Sequence, residues 1–186
     1  MEENTKRRLR YYLKHSADFY AVHVNMVKKP SYNLRQQAEV NRIRKSCGNA
    51  FTVVLPALEL RKLVKSDLYL FGVGEDGVAR WNGTYSLEML MLAKENGWPI
   101  LWHGTAWKER AGNKPTGYEL DITERLNAMS FNSETYIRTG NVHKKGNGYN
   151  PDITGSNGTT IECKGIDGRF SVKELPMEAE TEDEED

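Results

Sequence analysis

Residues 150–165, Asn-Pro-Asp-Ile-Thr-Gly-Ser-Asn-Gly-Thr-Thr-Ile-Glu-Cys-Lys-Gly, spell a β-hairpin that carries two acids and a lysine. An extended Pro151-Asp152-Ile153 runs into a turn at Gly155-Ser156-Asn157-Gly158, and a second strand follows over Thr159–Lys164. Glycine and asparagine supply the backbone angles that a tight reversal needs. Side chains alternate along a strand, so Ile161 and Cys163 face one way and Glu162 and Lys164 the other. Asp152 stands opposite them on the partner strand. Paired carboxylates are hard oxygen donors for a divalent cation such as Mg²⁺. Such a cation polarises a phosphoryl oxygen and lowers the pKa of bound water, and a neighbouring lysine steadies the attacking hydroxide. Cys163 points into the core on this alternation and is read as packing.

Upstream of the hairpin, residues 117–129, GYELDITERLNAM, have helical spacing and bring Glu119 near the helix start, with Glu124 a second acid further along. Arg138, Lys144 and Lys145 lie between that helix and the Pro-Asp strand. Short strands are expected over 135–138, 150–154, 159–164 and 169–172. Earlier, residues 4–15 read as a basic helix bearing Arg7, Arg8, Arg10 and Lys14, and residues 19–27 as a strand with Tyr20, Val22, Val24 and Met26 on one face. A helix is expected over 32–46, stopped by Gly48. Phe51–Leu55 looks extended and the segment after Pro56 helical. A hairpin spans 68–81, a helix Ser86–Asn96 stops at Gly97, and a short strand covers 98–103. The mixed order predicts an α/β (α+β) fold with a single mixed sheet flanked by helices.

The helix acid, basic segment, Pro-Asp and Ile-Glu-Cys-Lys-Gly together resemble the PD-(D/E)xK nuclease superfamily. Pro151, Asp152, Glu162 and Lys164 match its signature, with nine residues between the two acids, and Ile161 and Gly165 also follow the pattern. The resemblance covers residues 115–172, under a third of the chain. It implies a restriction-endonuclease-like core in the C-terminal half and Mg²⁺ (or Mn²⁺) as cofactor. Asp152 and Glu162 are then expected to hold the metal together with the Cys163 carbonyl, Glu119 to bind that metal or a second one through water, and Lys164 to activate the attacking water. Arg138, Lys144 and Lys145 become phosphate contacts. Among family members the chain looks closest to small phage-type and junction-resolving endonucleases. In one respect it departs: the family's core continues after Glu-x-Lys with a helix and a strand, whereas only 22 residues follow Lys164 here. The first half of the chain, with the helix–strand pair over 86–103 as the candidate, or a second subunit in a homodimer is the expected supplier; the remaining alternative is an incomplete, inactive core.

Charge points the same way. The chain of 186 residues has 26 bases and 26 acids, yet residues 178–186 hold 7 acids and no base. Residues 1–177 therefore carry 26 bases against 19 acids, and residues 1–65 carry 14 against 5. A basic body suits a polyanion such as DNA, with Arg7, Arg8, Arg10 and Lys14 as backbone contacts. Three regions are expected: a basic N-terminal region 1–110 that binds nucleic acid or completes the core, a nuclease-like core 111–173, and a disordered acidic tail 174–186. Two cysteines, no signal-like start and no long apolar run suggest a cytoplasmic protein with no membrane contact, in a bacterial or phage-infected cell. His15, His23, His103 and His143 show no metal-ligand spacing. Trp98, Trp102 and Trp107 are read as packing rather than base-stacking residues. The alternative to a nuclease is a non-enzymatic nucleic-acid-binding or regulatory protein whose acidic tail screens DNA.

Overall fold

The computed structural model describes residues 16–66, 68, 70–104, 115–140, 151–165 and 168–177. Nine strands and four α-helices lie among them. In chain order they are β1 (Phe19–Asn25), α1 (Leu34–Ser46), β2 (Ala50–Pro56), α2 (Ala57–Lys65), β3 (Phe71–Val73), β4 (Val78–Trp81) and α3 (Ser86–Asn96). There follow β5 (Ile100–His103), α4 (Pro115–Ala128), β6 (Tyr136–Arg138), β7 (Ile153–Gly155), β8 (Thr160–Lys164) and β9 (Arg169–Ser171). The mixed α/β class is as expected from the order of elements. The strands, however, divide between two sheets, a six-stranded β5-β2-β1-β8-β7-β6 and a three-stranded β3-β4-β9. The expectation of a single sheet holds only for the larger one. Hairpin β3–β4 pairs with β9 and so forms a layer of its own.

Local chemistry places the elements. Asn33 caps α1 through its side chain while Gln36 reaches back to the Asn33 backbone, a full capping box. The helix ends at Cys47 and Gly48, the latter at φ +134°, where a Cβ would stand 2.3 Å from the His103 carbonyl oxygen. No other residue type fits there. Gly97, at φ +69°, ends α3 in the left-handed cap expected of it.

The large sheet is covered on both faces. On one side Tyr20, Val22, Val24, Phe51, Val53 and Leu55 pack under α1, α2, α3 and the small sheet. On the other, Ala21, Val54, Ile153 and Ile161 pack under Tyr118, Ile122 and Leu126 of α4. β1 is therefore buried on both faces, which is why its flanking pattern runs nearly unbroken in apolar residues.

The six-stranded sheet draws three strands from before residue 110 and three from after it. β1 lies beside β8 and parallel to it, pairing Phe19 with Ile161, Tyr20 with Glu162, Ala21 with Cys163 and Val22 with Lys164. It is β1, not the helix–strand pair over 86–103, that continues the sheet beyond the Glu-x-Lys strand. β5 stands two strands further out. Among the described residues no helix is long and apolar enough to cross a membrane.

Candidate active site

β7 and β8 pair antiparallel at Ile153↔Ile161 and Thr154↔Thr160, so Asp152 and Glu162 are the next opposed pair, at the point where the ladder stops. Proline is the reason it stops. Pro151 has no N–H to contribute, and its carbonyl accepts a hydrogen bond from the Thr139 hydroxyl at 2.8 Å instead of serving β8. The Cys163 amide is thereby left over, and it donates to Asp152 Oδ2 at 2.8 Å. A side-chain oxygen replaces the missing backbone acceptor, which pins the Asp152 carboxylate in the gap between the diverging strands. On the other flank the Thr139 amide donates to the Asp152 carbonyl, and Thr139 Oγ1 also bonds Thr154 Oγ1.

Three acids named from the sequence meet there. Asp152 lies close enough to Glu162 and to Glu119 of α4 for its charge to act on both. Burial and then the charge of Asp152 push the Glu162 carboxyl up to about 8, while Lys164 pulls it the other way. Burial likewise raises Glu119, against the opposing hydrogen bond from Arg138. Glu162 is therefore protonated at neutral pH in the metal-free protein. Gly140 borders the pair: a Cβ there would make ordinary contacts, 3.6 Å from Glu119 Oε2 and 3.7 Å from Asp152 Oδ1. Glu124, the second acid of that helix, is exposed.

Lys164 lies on the Glu162 face of β8, with its Nζ 6.0 Å from the centre of the Tyr20 ring. Cys163 packs against the opposite, α4-facing cluster, and burial raises its thiol well above the ordinary value. That is the environment of an inert packing thiol. Arg138, expected at a phosphate, donates its Nε to Glu119 at 2.7 Å and helps hold that acid in place. Arg7, Arg8, Arg10, Lys14, Lys144, Lys145, Trp107 and the acids of 178–186 lie outside the described residues.

Two groups beside the site carried no sequence signal. Tyr20 looks like one more apolar position of its strand, and only the β1–β8 pairing brings it to Glu162. Glu174 belongs to a short turn after β9, and its charge reaches both Tyr20 and Glu162. On the α4 side a buried polar chain runs Tyr118–Thr52–His103, with contacts of 2.8 and 2.7 Å. His103 Nδ1 lies 3.6 Å from Asp121 Oδ2, and His23 stacks on the His103 ring. These groups tie α4, and with it Glu119, to β2 and β5.

Among the described residues no three His, Cys, Asp or Glu side chains stand at a metal's ligand spacing. The donor chemistry nonetheless suits a hard divalent cation. Asp152 and Glu162 are neighbouring oxygen donors, and Glu162 holds a proton at neutral pH that a cation would displace. Comparisons with protein-family models, with curated proteins and with solved structures give no match.

Proposed function

We propose that the protein is a metal-dependent endonuclease that hydrolyses DNA phosphodiester bonds, with a restriction-endonuclease-like core built around β6, β7 and β8. The observation that carries this reading is the gathering of Glu119, Asp152 and Glu162 at the ladder's end, where the charge of Asp152 acts on both of the others, with Lys164 on the same face as Glu162. Structural carboxylates usually avoid each other, and a crowded, desolvated set beside a lysine is the pattern of a functional site. Asp152 and Glu162 would hold Mg²⁺ or Mn²⁺, with the Cys163 carbonyl and Glu119 completing the set. A divalent cation bound there supplies Lewis-acid charge at the phosphate and a lowered pKa for its water.

The chain's own residues do the rest. Lys164 orients the attacking water and offers positive charge to the phosphate. The Cys163 amide fixes one oxygen of Asp152, leaving the other, Oδ1, turned toward Glu119 and Gly140. Arg138 keeps Glu119 at the site against the repulsion of its neighbours. Thr139 holds the Pro151 carbonyl, so the strands stay parted where a substrate must approach.

The test is cleavage of supercoiled, linear, branched and single-stranded DNA with Mg²⁺ or Mn²⁺. Asp152→Ala and Lys164→Ala are expected to lower the rate by on the order of 1,000-fold. Equal cutting by all three proteins rules the assignment out. The excess of 26 bases over 19 acids in residues 1–177 favours a second reading, non-enzymatic binding of nucleic acid. It predicts salt-dependent DNA binding with no heat of Mn²⁺ binding and no cleavage.

A further inference from the structure

Buried tyrosines almost always bond their hydroxyl. Three in this protein do: Tyr32 to the Thr84 carbonyl and Glu88, Tyr118 to Thr52, and Tyr136 to the Phe131 carbonyl and Glu134. Tyr20 is as buried as any of them, at 1% exposure, yet no hydrogen bond to its hydroxyl occurs among the described residues. Its surroundings are not those of an idle core position. The β1–β8 register sets it beside Glu162, and the Lys164 amine stands 6.0 Å from its ring centre, at the outer range of a cation–π contact. Phe170 packs on the ring at 6.0 Å and holds it in place. Glu162 and Lys164 are only half-buried, so the tyrosine's neighbours on β8 are groups within reach of a substrate phosphate.

We propose that Tyr20 is a further catalytic residue, whose hydroxyl donates a hydrogen bond to a non-bridging oxygen of the scissile phosphate. The proposal rests on the endonuclease reading of the site. A phosphate entering between acids needs donors as well as a cation, because negative charge on its non-bridging oxygens must be held through the transition state. Ionised carboxylates only accept. A phenol is protonated at neutral pH by its ordinary chemistry, so its hydroxyl can donate where the carboxylates cannot.

Tyr20→Phe removes one oxygen that the protein itself does not use, so the fold should not notice. The variant is expected to keep its melting temperature and its affinity for a short duplex in Ca²⁺. Its turnover of supercoiled plasmid in Mn²⁺ should fall by on the order of 100-fold. Wild-type turnover by Tyr20→Phe overturns the proposal and leaves the endonuclease reading standing. So does a loss of melting temperature in step with activity, which would make the hydroxyl structural. A wild-type protein that cuts none of these DNAs fells the endonuclease reading first and this proposal with it.

Discussion

Glu162 is the residue on which the pH behaviour of the protein turns. In the fold its carboxyl keeps a proton to about 8, against 4.5 for an ordinary glutamate. Between those values the native state binds more protons than the unfolded chain, so stability falls as pH rises. The Glu162 contribution is whole below pH 4.5 and gone above about 8. The metal-free protein should therefore lose melting temperature between about pH 5 and 8, and Glu162→Gln should lose less. Mg²⁺ should flatten the wild-type slope, since a cation takes the place of the displaced proton. Superimposable melting curves for the two proteins across this range would show that Glu162 does not titrate there. Residue identity in this region was legible beforehand: Pro151, Asp152, Glu162, Lys164 and Glu119 were all named from spacing and resemblance. Tyr20 and Glu174 were not, because nothing local distinguishes a tyrosine in an apolar strand or a glutamate in a late turn.

Among the elements, α4 matters most, because it carries a site acid on one side and half of a core on the other. Tyr118, Ile122 and Leu126 seat it on the sheet, while Glu119 leans out to Asp152. Truncating Ile122, which is fully buried, should cost about 2–5 kcal/mol. Urea unfolding measures that cost. Cleavage should fall further than stability alone explains, since a loosened α4 no longer holds Glu119 to the half-ångström that chemistry requires. If Ile122→Ala cut at the wild-type rate under conditions where it stays folded, Glu119 would have no positional role. The elements themselves were mostly visible in the sequence. α3 begins and ends at the residues expected, Ser86 and Asn96, and the change from strand to helix falls at Pro56, where the proline predicts it. Boundaries drifted by a few residues where short strands meet irregular chain, as at β7, which starts at Ile153 rather than Asn150 because Pro151 cannot join the ladder.

For the molecule as a whole, the two halves of the chain are one folded unit. β1 inserts its length between β2 and β8, and both cores mix residues from either side of residue 110. Ala21, Val54 and Leu101 line the cluster under α4, and Phe170 and Leu175 belong to the cluster under α1–α3. A fragment of residues 111–177 should accordingly be unfolded by circular dichroism, although it contains Glu119, Asp152, Glu162 and Lys164. Adding residues 16–104 in trans should restore structure if the two pieces find each other. A fragment that folds cooperatively alone would contradict the shared sheet. The basic N-terminal region thus has a structural part in addition to any contact with DNA.

The amino-acid sequence alone settled what depends on neighbours along the chain. The hairpin over 151–165, the glycine stops at Gly48 and Gly97, and the alternation that separates Glu162 from Cys163 all follow from backbone and side-chain preferences over a few residues. Tertiary structure decided which strand lies beside β8. A parallel pairing between residues some 140 apart leaves no local mark, since any apolar strand of suitable length satisfies the same pattern. That one pairing completes the sheet, brings Tyr20 to Glu162 and Lys164, and turns a charged hairpin into a walled site.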